Sequence, residues 1–115
     1  MKTNKNGETI NIIYPDKPPK TIFGPNFIIK EVMPKKEGKI YLGDGSSSTK
    51  VKISHYVEDF NEEDIHESLK GKIKVGDKVV VKMYGDEAIV AKKSTDENDL
   101  IYLMVDQFRI IGKYH

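Results

Sequence analysis

The sequence predicts a small all-β protein: one β-barrel domain interrupted by a long polar excursion. Three observations carry that expectation. Apolar and polar residues alternate with period two in stretches such as Val51-Lys52-Ile53-Ser54-His55-Tyr56-Val57. Tight turns containing glycine and aspartate, Val75-Gly76-Asp77 and Gly85-Asp86, separate the apolar runs. The chain has 115 residues, enough for one domain and short for two. Short strands at this spacing close naturally into a barrel.

Residues 1–20 read as an N-terminal extension to a domain spanning 21–115. Met1 to Glu8 is polar, and Thr9 to Tyr14 is a short strand candidate. Pro15, Pro18 and Pro19 then exclude the middle of a sheet, so YPDKPPK reads as an extended connector. Gly24-Pro25-Asn26 turns the chain into a strand from Phe27 to Val32, which Met33-Pro34 ends. A second strand covers Val51 to Val57. In residues 60–71, Asn61 is a suitable helix N-cap. Glu62, Glu63 and Asp64 favour a first turn, Phe60, Ile65 and Leu69 share a helical face, and Gly71 is a stop. A short helix is expected there, with an acidic loop or hairpin as the alternative. Ile73 to Val81 reads as a strand end, a Gly-Asp turn and a strand. Lys78–Tyr84 and Glu87–Lys93 are expected to form a hairpin around Gly85-Asp86. Ser94 to Asp99 is a polar turn, Leu100 to Met104 a strand, and Ile110-Ile111 belongs to a last strand.

Composition excludes several function classes. A net charge of +1 gives no global attraction to nucleic acid or anionic membrane. The absence of cysteine excludes a disulfide framework and a thiolate zinc site, and fits a reducing, cytoplasmic setting. No apolar run approaches a membrane span, and MKTNKNGETI lacks the apolar segment of a secretory signal. No catalytic constellation is expected. His55, His66 and His115 are isolated in sequence, and Ser46-Ser47-Ser48 lacks a nucleophile elbow. The acidic cluster Asp59, Glu62, Glu63, Asp64, His66 and Glu67 lacks the alternation of a calcium loop. Gly43-Asp44-Gly45-Ser46 lacks the lysine and helix of a phosphate loop. Neither cofactor nor metal is expected.

Gly38 to Thr49, GKIYLGDGSSST, is the most informative stretch. Ile40, Tyr41 and Leu42 stand directly before a run of Gly, Asp, Ser and Thr. An apolar cluster within a polar excursion points to cover supplied by another molecule. The competing reading is a short core strand with GDGSSST as its loop. A second functional reading is a barrel of the OB type that binds single-stranded nucleic acid. Lys50, Lys52, Lys78, Lys82, Lys92 and Lys93, with Tyr56, Tyr84 and Tyr102, would supply its charge and stacking platforms.

Four landmarks in order resemble the GroES-like co-chaperonins, the lids of the chaperonin folding chamber. They are Asn26-Phe27-Ile28-Ile29-Lys30, Gly38-Lys39-Ile40-Tyr41-Leu42, Ile73-Lys74-Val75-Gly76-Asp77-Lys78-Val79, and Leu100 to Ile111. The likeness covers residues 21–112. It implies a seven-membered ring of barrels and a mobile loop at 35–50. In that loop Gly38, Ile40, Tyr41 and Leu42 would dock on a chaperonin's apical domain. It also implies subunit contacts through Phe27, Ile28 and Ile29 against Ile110 and Ile111 of a neighbour. Folding would be assisted without chemistry in the lid, since ATP hydrolysis belongs to the partner. Lys39, Tyr41, the acidic stretch at 58–70 and the N-terminal extension depart from the family pattern. They suggest a divergent member, such as a bacteriophage would encode for its host's chaperonin.

Overall fold

The computed structural model describes residues 2–3, 9–10, 12–35, 38–41, 47–50 and 52–115, with side chains over 12–35 and 52–115. The strands among them are β1 (Lys2–Thr3), β2 (Thr9–Ile10), β3 (Asn26–Pro34), β4 (Gly38–Tyr41), β5 (Ser47–Lys50), β6 (Ser54–Phe60), β7 (Val79–Val81), β8 (Ala88–Ser94), β9 (Asn98–Asp106) and β10 (Ile110–Lys113). The fold is all-β. Its helical segments among the described residues are two 3-10 turns, Glu62–Asp64 and Gln107–Arg109. No helix among these residues is long and apolar enough to cross a membrane.

All strand pairs are antiparallel. The main sheet has the order β6-β3-β9-β8, and β7 pairs with β10. A single bridge between Tyr56 and Lys78 joins the two sheets, giving an open barrel with β10 and β8 as its outer strands. β4 pairs with β5, and β1 with β2, as separate two-stranded ribbons.

β3 is central because its sequence is apolar on both faces. Consecutive strand residues point to opposite sides, so Phe27-Ile28-Ile29 is stable only where both sides are covered. All three are fully buried. Phe27 and Ile29 face the barrel interior with Val57, Val79, Leu103, Val105 and Ile110. The Phe27 ring stacks on Phe60 at 4.6 Å between centroids. Ile28 faces outward and packs with Ile22, Ala91 and Tyr102 in a second, smaller core. Covering Ile22 contributes about 1.5–3 kcal/mol by apolar burial. The segment around residues 14–22 is therefore attached to the barrel, and Thr9–Tyr14 is strand only at Thr9–Ile10 among the described residues.

Several sequence expectations shift. The second strand runs Ser54–Phe60 rather than Val51 to Val57, and Ile53 is 45 % exposed. A bulge at the Ile28/Ile29 step turns Phe60 inward. The helix expected in 60–71 shrinks to Glu62–Asp64. Asn61 does not cap it; its Nδ2 donates to the Ile22 carbonyl at 2.6 Å instead. The rest of that segment closes one end of the barrel with Ile65 and Leu69, and buried Gln107 anchors it by accepting the His66 N–H at 2.6 Å.

The hairpin expected around Gly85-Asp86 does not form. Gly85 does adopt a turn conformation, at φ 86°, and Glu87 accepts the N–H groups of Tyr84 and Gly85. But β7 pairs with β10 and β8 pairs with β9, so the turn crosses from one sheet to the other. Val79 and Val81 bury themselves against the interior only if β7 leaves the plane of β8. By contrast, the turn at Lys74–Asp77 is tight. Gly76 has φ 92° and donates to the Val57 carbonyl at 2.8 Å, while Asp77 accepts the Lys74 N–H at 2.8 Å.

Candidate functional site

Residues 35–53 leave and rejoin the barrel at one end of the β3–β6 ladder. On the outgoing side β3 continues beside β9 to the pair Pro34–Asn98, and the Lys35 N–H then donates to the Glu97 carbonyl at 2.9 Å. Lys35 Nζ also lies 3.9 Å from Asp99. On the returning side Ser54 pairs with Val32. One residue further, His55 Nε2 and Glu31 Oε1 meet at 3.1 Å, both side chains half-buried. The base of the excursion is thus fixed from three strands.

Within it, β4 and β5 pair in the register Gly38–Lys50, Lys39–Thr49, Ile40–Ser48 and Tyr41–Ser47. Gly38, Ile40 and Tyr41 therefore stand on one strand of a hairpin that forms its own sheet. Leu42 lies outside the described residues, as does most of the Gly-Ser tip. The competing reading, a short strand with a hairpin return, is met in its pairing: β4 and β5 bond to each other, in a sheet separate from the four-stranded one.

Of the residues expected at a subunit seam, four are buried within the chain and one is exposed. Phe27, Ile28 and Ile29 lie on a strand paired on both sides, with β6 and β9, and are themselves fully buried. β3 has no free edge to offer a neighbouring copy. Ile110 is also core, whereas Ile111 is 63 % exposed. β10 pairs with β7 alone among the described strands, so it keeps one open side. A groove of about 520 Å³ runs beside it, lined in part by Leu69, Lys72, Ile73, Ile111 and His115.

His66 Nδ1 contacts Ser68 Oγ at 2.8 Å, and its ring lies 5.9 Å from that of Phe108. Among the described residues no three His, Asp or Glu side chains are grouped to hold a metal ion.

Sequence reasoning missed an ionic clasp around Arg109, the chain's one arginine. Its guanidinium bonds Asp86 at 2.9 Å, also engages Glu87, and lies 4.6 Å from the centre of the Tyr84 ring. A lone arginine among many lysines was the available signal, since only the planar fork combines bidentate pairing with stacking. The Arg109 bond holds the Asp86 carboxyl below its ordinary range and pushes the guanidinium up. The Lys74 N–H, aided by Lys113, lowers Asp77 in the same way. Burial, with the nearby Glu58 charge, raises the Tyr102 phenol.

No protein-family model, curated protein or solved structure matches this chain.

Proposed function

We propose that the chain is a GroES-like co-chaperonin, a non-enzymatic lid that engages a chaperonin through the hairpin at residues 38–50. One observation carries this reading. The apolar residues Ile40 and Tyr41 sit on a hairpin whose strands, among the described residues, pair with each other and not with the main sheet. Its cross-strand partners are Ser48 and Ser47, which offer little apolar surface in return. A two-stranded ribbon gains little stability alone, so such a segment orders most favourably against a partner. The order of the four sequence landmarks agrees with this reading, as does the close Ile73–Val79 turn.

Each hairpin is a weak ligand by itself. Several on one assembly raise the effective concentration and restore affinity while leaving each contact releasable. A ring of copies supplies that valency. Since β3 is occupied on both sides, a neighbour has to meet the open side of β10 with something other than β3.

The test replaces Ile40 and Leu42 together by Ser and measures binding to a GroEL-type chaperonin in the presence of ATP. Binding falls at least about 100-fold, because the loss at each hairpin multiplies across the assembly. Binding equal to the parent's overturns the assignment of the hook.

A second reading, single-stranded nucleic-acid binding, draws on one arrangement. Lys30 lies over Tyr56 and Lys78 over Tyr114, a basic and aromatic row across the outer surface. It requires an oligonucleotide affinity that falls with the logarithm of salt concentration. A flat titration at low salt removes it.

A further inference from the structure

β8 is an outer strand, and its sequence AIVAKKS places Ile89, Val90 and Ala91 in succession. An outer strand presents a row of N–H and C=O groups that templates further pairing. Here a segment of the same chain lies against it. The Pro15 carbonyl accepts the Lys92 N–H at 2.8 Å, and the Lys92 ammonium sits 4.8 Å from the centre of the Tyr14 ring. Further along, Ile22 is 4 % exposed and packs on Ile28, Ala91 and Tyr102. Asn61 holds its carbonyl at 2.6 Å. Between these two anchors stand Pro18 and Pro19, which with Pro15 lack N–H groups. A proline-rich segment can accept a bond from an outer strand while giving few donors to a further one.

We infer that residues 14–22 form a strap that ends the sheet at β8 and keeps this edge from pairing with β8 of a second copy of the chain. The second copy is the fitting occupant because the edge is complementary to itself. In an antiparallel pair centred on Ala91, Lys92 and Lys93 fall opposite the apolar Ile89-Val90 side, where the bulge at the Ile89/Ala91 step sets the partners, so no lysine faces a lysine. Such pairing is isologous and closes on a two-fold axis. This contact is separate from the open side of β10 and from the hairpin, so it stands or falls independently of the co-chaperonin reading.

Sedimentation equilibrium over a range of concentrations tests it with three chains compared against the full one. A chain lacking residues 1–18 keeps Ile22 but loses the contact at Pro15. It associates beyond the full chain's own state, and its weight-average mass roughly doubles as two-fold pairing completes. Adding Lys92→Pro to the shortened chain removes the outward N–H and returns the mass to that of the full chain. A chain lacking residues 1–11 retains the strap and behaves as the full chain does. The inference is overturned if the shortened chain keeps the full chain's mass, or if Lys92→Pro leaves the added association in place. It is equally overturned if the shortened chain loses its cooperative urea transition, since the segment is then part of the core rather than a cover.

Discussion

β3 and β4 are neighbours in sequence and opposites in circumstance. β3 is bonded along both sides, by β6 and β9, and both of its faces are covered. β4 is bonded to β5 in a ribbon of two strands. Both strands are rich in Ile and aromatic residues, so hydrophobicity does not distinguish them. Pairing does: one apolar segment is bonded on both sides within the main sheet, and the other belongs to a separate two-stranded ribbon. A segment bonded on both sides has no free edge to offer another strand, and β3 is such a segment. Among the described residues β4 has one partner strand, β5.

The contrast can be broken most forcefully at Phe27. Phe27→Ala removes a fully buried ring stacked on Phe60 and costs about 3–5 kcal/mol in urea-induced unfolding. A loss under about 1 kcal/mol there means β3 is not the enclosed strand described.

Gly76→Ala tests the turn that ties β7 to β6. A Cβ at this position meets nothing within 4 Å, so only the backbone at φ 92° resists it. The left-handed conformation costs a non-glycine residue about 1–2 kcal/mol. A neutral substitution shows that the turn relaxes to another conformation.

Acid sharpens the same part of the comparison. Asp77 and Asp86 both titrate below the ordinary carboxylate value of 3.8 in the folded chain. Groups lowered on folding contribute stability that is complete above their unfolded values and lost as pH falls through the folded ones. Thermal stability therefore declines as pH drops below about 4. Asp77→Asn flattens part of that decline while lowering stability at neutral pH. An unchanged acid limb in this variant removes Asp77 from the account.

The smallest effect on stability belongs to the hairpin. Ile40→Ser with Leu42→Ser changes the unfolding free energy by less than about 0.5 kcal/mol, as for substitutions outside a core. The same pair of changes is the one expected to abolish chaperonin binding. A large loss of stability returns Ile40 and Leu42 to the core and sinks the hook.

Much of the fold was legible in the residues. FIIKEV marks β3, Val-Gly-Asp marks the turn at 74–77, and the polar stretch from Ser94 to Asp99 marks the β8–β9 connection. The position of the excursion was legible too, because an apolar triplet before GDGSSST interrupts the strand pattern. Other features were not. Gly85-Asp86 has the residues of a hairpin turn, and Gly85 takes φ 86°, yet the chain only bends there and the strands beside it take other partners. Asn61 has the chemistry of a cap and spends it on Ile22. Local signals state which conformation a few residues favour, and they are silent on which distant strand will complete the ladder.

Sequence alone determined that this is a β protein with tight turns, that Phe27-Ile28-Ile29 needs burial, and that Ile40-Tyr41 stands among polar residues. These follow from periodicity and side-chain chemistry, which act over a few residues. Tertiary structure decided that β3 is enclosed on both sides, that β7 joins β10, and that Ile22 packs on the outer face beside Ile28, Ala91 and Tyr102. Those outcomes depend on segments far apart in the chain competing for the same edges and faces, and that competition is resolved only when the whole chain packs.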